Sequence, residues 1–267
     1  MKKFILLFIS SLLILSTNTF AKDISAYLVG TYVEVDSVKN SLSRAGFEVI
    51  AEYSSVADGV TIVFTNDALK AEASKEKRAH AAVLRVFVDK QEKMISITNP
   101  VYFGRAFMQD DFNEAVFEAQ LASINGVFEG LSGSIDKLED DDIAGFHFMM
   151  SMPYYEDPDK LAEASNSELL AKLRAYNGGK NIIFELKLSD KSTLVGYEIT
   201  DKSFIEGIGR ANASVLPYCI SVEDGEATAL AAKYYLAISY PLLSMGEFMT
   251  ISSVPGEILE DLEKPFK

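Results

Sequence analysis

The sequence predicts an α+β protein made of two related domains, each running β-α-β-β-α-β-β-α, with an antiparallel sheet and helices packed on one face. Three observations carry that expectation. The chain repeats itself at a spacing of 132 residues: Arg78-Ala79-His80-Ala81-Ala82-Val83-Leu84 returns as Arg210-Ala211-Asn212-Ala213-Ser214-Val215-Leu216. The same spacing pairs Thr61-Ile62-Val63 with Thr193-Leu194-Val195, Gly46 with Gly178 and Tyr102 with Tyr234. Solenoid repeats are about 20–50 residues long, so this spacing is that of a duplicated domain. Hydrophobic residues make up 48% of the chain and charged residues 24%, the balance of a folded globular protein. Finally, β-rich runs, helical patterns and polar turns follow one another in the same order in both halves.

The chain opens with Met1-Lys2-Lys3, an apolar run from Phe4 to Leu15 and small residues up to Ala21. That is the layout of a secretory signal peptide over residues 1–21, cut after Ala21, and it makes the periplasm the expected location. The run is shorter than the ~20 residues of a membrane span. The first repeat, residues 22–125, begins with a strand from Ser25 to Val35. Asp36-Ser37 then starts a helix with Val38 and Leu42 inward and Gly46 as its stop. Phe47 to Tyr53 and Val60 to Thr65 read as a strand pair joined through Asp58-Gly59. A helix from Asn66-Asp67 to about Arg78 precedes the strands Val83 to Val88 and Met94 to Thr98. Asn99-Pro100 ends the last strand, and a third helix runs toward Phe117.

Residues 126–143 end in Leu138-Glu139-Asp140-Asp141-Asp142 and read as an acidic linker, because the alternating spacing of a calcium loop is missing. In the second repeat, residues 144–267, Phe146 to Tyr154 is the expected opening strand. Asp157-Pro158 begins a helix reaching Tyr176, closed by Asn177-Gly178-Gly179. Strands at Ile182 to Leu188 and Leu194 to Ile199, a helix over Lys202 to Arg210, and strands at Val215 to Val222 and Ala227 to Ala232 follow. Closing helices occupy Tyr240 to Phe266.

The segment Leu216-Pro217-Tyr218-Cys219-Ile220-Ser221-Val222-Glu223-Asp224-Gly225 resembles the Leu-Pro, strand and acidic turn of the domain of unknown function 302 family. Gly46-Phe47 after the first helix and Asn99-Pro100 closing a strand are similar to the same pattern. The resemblance implies two copies of a small α+β domain over most of residues 24–267. Its motifs are divided between the copies. Arg85 stands where the first would carry the proline, and Ala231-Ala232 where the second would carry Asn-Pro. The family has no settled activity, so the resemblance implies a fold and no reaction.

The formal net charge is −14, and the chain is more acidic still without Lys2 and Lys3. Such a surface repels nucleic acid and anionic lipid, and no Lys/Arg cluster offsets it. The single cysteine, Cys219, has no internal disulfide partner and sits in an apolar strand as a buried thiol. There is no P-loop, no Gly-x-Ser-x-Gly elbow and no His-Glu-x-x-His helix. The only histidines, His80 and His147, stand beside no nucleophile pattern. The expected function is therefore noncatalytic: binding a small molecule or a periplasmic partner protein, with a hydrolase as the remotest reading.

Two sets of candidate residues follow. Arg78 and Arg210, at equivalent helix ends, and Tyr102 and Tyr234, after equivalent strands, would line two similar ligand pockets, with Asn99 in the aromatic loop of the first copy. The competing reading is local packing and helix-end electrostatics. The alternative function is copper handling by His147, Met149, Met150 and Met152, a soft donor set suited to Cu(I). On a strand, Met150 and Met152 would share one face and His147 and Met149 the other, which splits the set. A binding module requires a groove at the seam between the repeats or near Tyr102.

Overall fold

Residues 22–267 are described by a computed structural model; the expected signal peptide, residues 1–21, lies outside the described residues. The first half starts with β1 (Asp23–Ser25) and β2 (Tyr27–Thr31). Helix α1 (Val35–Arg44) buries Val38, Ser41 and Leu42, the spacing of one helical face, and the chain leaves it at Gly46 with φ +83°. Strands β3 (Glu48–Val56) and β4 (Gly59–Thr65) pair, and α2 (Asp67–Ala73) follows, capped by the Asn66 side chain accepting from the Leu69 N–H at 2.9 Å. A 3₁₀ turn over Ala79–Ala82 leads into β5 (Leu84–Asp89) and β6 (Met94–Thr98), then α3 (Pro100–Met108) and α4 (Glu114–Asn125).

These strands form an antiparallel sheet in the order β3-β4-β5-β6-β2, with the short β7 (Ser132–Gly133) added against β2. Strand β8 (Lys137–Glu139) pairs with β1, and α5 (Asp140–Ile143) follows. The segment expected to be a solvated linker is thus woven into the first half. Its acidic run begins a helical turn, and Asp140 pairs with Arg105 of α3.

The second half contains β9 (Asp159–Glu163), α6 (Asn166–Ala175), β10 (Ile182–Lys187), β11 (Ser192–Tyr197) and α7 (Ser203–Ile208). A 3₁₀ turn over Arg210–Val215, β12 (Tyr218–Glu223), β13 (Glu226–Ala229), α8 (Ala232–Ser239), α9 (Met245–Thr250) and α10 (Val254–Glu263) complete it. Its antiparallel sheet runs β10-β11-β12-β13-β9, the order of the first sheet strand for strand. The α+β class with antiparallel sheets is as the sequence predicts.

The opening of the second half differs from expectation. Its first strand is β9, and Phe146 to Tyr154 is a loop. The Ser165/Glu168 capping box fixes the start of α6 at Asn166, so Asp157-Pro158 lies in the lead-in to β9 and not in a helix. Strand β9 then pairs with β13, Glu226 opposite Glu163 and Ala229 opposite Asp159, where Lys160 bridges Glu163 and Glu226.

The buried apolar residues of both halves belong to one continuous cluster. Each 3₁₀ turn crosses to the other sheet: Ala79–Ala82 packs on β11 and β12, and Arg210–Val215 on β3, β4 and β5. The tyrosines at the 132-residue spacing cross as well. Tyr102 donates its hydroxyl to the Ile238 carbonyl at 2.8 Å, and Tyr234 donates to the Ala106 carbonyl at 3.3 Å, so donors and acceptors keep the same spacing.

Candidate functional site

The β12–β13 hairpin turns through Asp224-Gly225, at φ +46° and +88°, the left-handed pair that a two-residue hairpin turn needs. Strand alternation then sorts the side chains. Ile220, Val222, Ala227 and Ala229 enter the core, while Ser221, Glu223, Glu226 and Thr228 face the other way. Opposite them stand Lys77 and His80 of the first half, with Tyr155 beside them. Between the two walls lies a cleft of about 680 Å³, a size in the range of small-molecule sites. It opens at the seam between the halves.

Among the described residues, six acids border the cleft, against the single cationic side chain of Lys77. Four of the six have cations: Glu156 pairs with Arg78 at 2.9 Å, Glu163 and Glu226 share Lys160, and Asp224 faces Lys191 at 3.3 Å. Glu223 forms no salt bridge among the described residues. Its carboxylate accepts a hydrogen bond from the backbone N–H of Lys77 at 3.2 Å. Burial, with Asp224 and Glu76 nearby, holds its pKa above the usual carboxylate value.

His80 borders the same cleft and is 9% exposed, and its ring packs near Phe107. It makes no hydrogen bond among the described residues. Burial, and then the Arg85 guanidinium, push its pKa down to about 3, so the imidazole is neutral at physiological pH. Arg85 is buried behind it, donating from Nη2 to the Pro217 carbonyl at 3.1 Å and to Cys219 Sγ at 3.2 Å, while its Nε has no partner among the described residues. A second cavity of about 10 Å³ lies among His80, Arg85 and Cys219, room for about one water. Burial raises the Cys219 pKa, against the pull of Arg85, and keeps the thiol protonated.

The five residues expected to line ligand pockets lie elsewhere, and none of them borders the cleft. Tyr102 and Tyr234 are fully buried, with hydroxyls committed to the other half. Asn99 caps α3, accepting from the Val101 N–H at 3.0 Å and donating to the Ser25 carbonyl at 2.8 Å. Arg78 and Arg210 do not end helices; each stands at the start of a 3₁₀ turn. Arg78 is held by Asp111 at 3.0 Å and Glu156 at 2.9 Å. Arg210 grips Asp89 through two bonds, 2.8 and 3.0 Å, and donates to the Ala57 carbonyl at 2.6 Å.

The two arginines therefore differ in what they hold. Asp89 is only 2% exposed, so removing Arg210 leaves a buried carboxylate without its cation, held by the backbone N–H groups of Gln91 and Glu92, whereas the partners of Arg78 are nearly half exposed. Arg210→Ala is expected to cost about 2–4 kcal/mol of unfolding free energy and Arg78→Ala about 0–1 kcal/mol. Urea titration of the two variants checks this, and equal losses would contradict it.

The structure places the copper candidates His147, Met149, Met150 and Met152 in a loop and not on a strand, so the two-faced strand geometry does not arise. Met150 is 88% exposed and Met149 is also exposed. The His147 ring packs on Tyr154 at 4.3 Å between centroids. Among the described residues, no three His, Cys, Asp or Glu side chains converge as a metal site.

His80 and Glu223 are the residues that sequence reading passed over. His80 lies inside the Arg-Ala-x-Ala repeat, where its counterpart is Asn212, and that exchange of a titratable for an amide side chain was the available signal. Glu223 could not be matched to its counterpart, because the halves slip by two residues in β12 relative to β5. Only strand pairing reveals it: Asp89 opposite Met94 corresponds to Glu223 opposite Glu226. Among the described residues, no helix is long and apolar enough to cross a membrane. No protein-family model, curated protein or solved structure matches the chain.

Proposed function

We propose that the protein is an exported, noncatalytic binding protein that holds a small molecule in the cleft between its halves. The observation that carries this reading is His80: a neutral polar side chain, nine-tenths buried, with no hydrogen-bond partner, at a cleft of about 680 Å³. A neutral imidazole has one donor and one acceptor, which the described residues leave to a ligand group in the cleft. Ser165 and Ser221 also border the cleft. Neither hydroxyl bonds to His80 among the described residues, which favours binding over nucleophilic chemistry. The copper alternative has no comparable support, with Met150 standing in solvent.

We read the two halves as copies of one unit, in keeping with the resemblance to the domain of unknown function 302 family. The shared strand order and the reciprocal tyrosines support that reading. The signal-like sequence over residues 1–21 supports export.

Native mass spectrometry of the protein expressed with residues 1–21 in a bacterial host tests both points. The expected result is a periplasmic chain starting at Lys22, carrying a small-molecule mass that is lost in Thr228→Trp, which fills the cleft. A cytoplasmic chain retaining residues 1–21 overturns export. A bare wild-type mass, with no compound in a small-molecule library shifting the wild-type melting temperature more than that of Thr228→Trp, overturns the cleft reading.

A further inference from the structure

We propose that the cleft takes an organic cation whose guanidinium or ammonium head pairs with Glu223, in the position that a protein arginine fills in the other half. The inference rests on the cleft being a ligand site and adds the chemical class of its occupant.

The argument comes from comparing corresponding positions of the two sheets. Strand pairing aligns Phe87, Asp89 and Ser96 of the β5–β6 hairpin with Ser221, Glu223 and Thr228 of the β12–β13 hairpin. In the first half the acid at the strand end is answered from the opposite half. Arg210 lays its guanidinium on Asp89 through Nε and Nη2, the two-bond fork that suits a carboxylate. In the second half the corresponding acid is Glu223, and the corresponding arginine is Arg78. Asp111 and Glu156 hold Arg78 away from it. Two further changes open the space. Ser221 stands where Phe87 fills the first half, and Tyr155 and His80 wall the gap instead of sealing it. The protein thus has two versions of one acid site, one closed by its own guanidinium and one left open to the cleft.

The charges around Glu223 give a ligand its direction. The rim is acidic, and Lys77, the only cationic side chain on it among the described residues, offers Glu223 its backbone N–H. Behind the neutral His80 lies the buried positive charge of Arg85. A cationic head is attracted at the Glu223 end and repelled from the His80 end, so the body of the ligand points toward His80, whose imidazole has hydrogen-bonding capacity to offer.

Four probes of similar length separate the charge classes: 4-hydroxybutylguanidine, 5-amino-1-pentanol, 1,5-pentanediol and glutarate, titrated calorimetrically into the purified chain. The two monocations, whose hydroxyl end is uncharged, are expected to bind, and glutarate and pentanediol are not. Glu223→Gln should weaken the two cations roughly 10- to 100-fold, the worth of one charge-assisted pair, and Glu223→Asp should retain most of the affinity. The comparison of probes on the wild-type protein stands even if Glu223→Gln folds poorly. Binding of glutarate or pentanediol as tight as that of the cations, and abolished by Thr228→Trp, overturns the cationic class while leaving the cleft in place. Cation binding unchanged in Thr228→Trp or in a folded Glu223→Gln overturns the assignment of the site. No binding by any probe, with a bare mass from the periplasmic protein, overturns the cleft reading itself.

Discussion

Tyr102→Ala and Tyr234→Ala are each expected to lower the unfolding free energy by about 3–5 kcal/mol, the cost of removing a large aromatic side chain from a closed core. Both are among the largest fully buried side chains, and each reaches across to the last turn of a helix in the other half. Carbonyls in a last helical turn lack intrahelical partners. The Ile238 carbonyl, next to the end of α8, is served by Tyr102 at 2.8 Å. The Ala106 carbonyl near the end of α3 is served by Tyr234 at 3.3 Å and also by the Gln109 amide at 2.7 Å.

Removing only the hydroxyls should therefore be unequal. Tyr102→Phe leaves a buried carbonyl unpaired and is expected to cost about 1–3 kcal/mol, whereas Tyr234→Phe leaves Ala106 its amide partner and should cost less than about 1 kcal/mol. Equilibrium urea unfolding of the four variants gives these values, and an equal loss from both Phe variants would contradict the bonding described. The shared cluster of buried residues adds a further expectation: hydrogen exchange in either Ala variant should accelerate in both halves together. Faster exchange confined to the half carrying the substitution would mean that the halves unfold independently.

The fold class was legible because it is written in local terms. The 132-residue spacing predicted that Gly46 and Gly178 play the same part, and both carry positive φ at the ends of corresponding helices, +83° and +65°. Asn99-Pro100 was legible as a strand end because a side-chain cap and a proline act within three residues. What local pattern could not supply was partner choice. Phe146 to Tyr154 is as apolar as a strand, yet the free edge of β13 is taken by Asp159–Glu163, whose lysine bridges two glutamates. Arg78 and Arg210 share the Arg-Ala-x-Ala context but meet different acids, Asp111 and Glu156 in one case and Asp89 in the other, and local pattern does not say which. The cleft was illegible for the same reason: it exists only where the halves meet and only where they differ. The expectation of a groove at the seam came from where two domains leave space, and none of the residues named for it line it.

Between pH 6.5 and pH 3 the wild-type protein is expected to lose stability through His80, and His80→Gln is not. The sign follows from where the proton goes. His80 has a pKa of about 3 in the folded protein against an ordinary value of 6.5, so in this window the unfolded chain binds a proton that the folded chain refuses. Stability is therefore complete above pH 6.5 and falls as pH drops toward 3. The full effect is up to roughly 4–5 kcal/mol, since each tenfold loss of proton affinity on folding is worth about 1.4 kcal/mol. Water entering the cleft to solvate the imidazolium would reduce it. The groups around the ring do not confuse the assignment. Arg85 stays charged, and the Cys219, Tyr218, Tyr235 and Tyr155 pKa values are all raised by burial, far above the window. Glu223 acts in the opposite sense, since its raised folded pKa makes protonation favour the folded state as pH falls. Glu223 is present in both proteins, so its contribution cancels in the difference between wild type and His80→Gln. Glutamine keeps a donor and an acceptor and carries no charge, so the variant also retains hydrogen-bonding capacity at the cleft. Unfolding free energies of the two proteins at pH 7, 6, 5 and 4 should converge or cross as the pH falls. A gap that stays constant over that range would mean that His80 is solvated well enough to titrate normally, and that the cleft beside it is wetter than its burial implies.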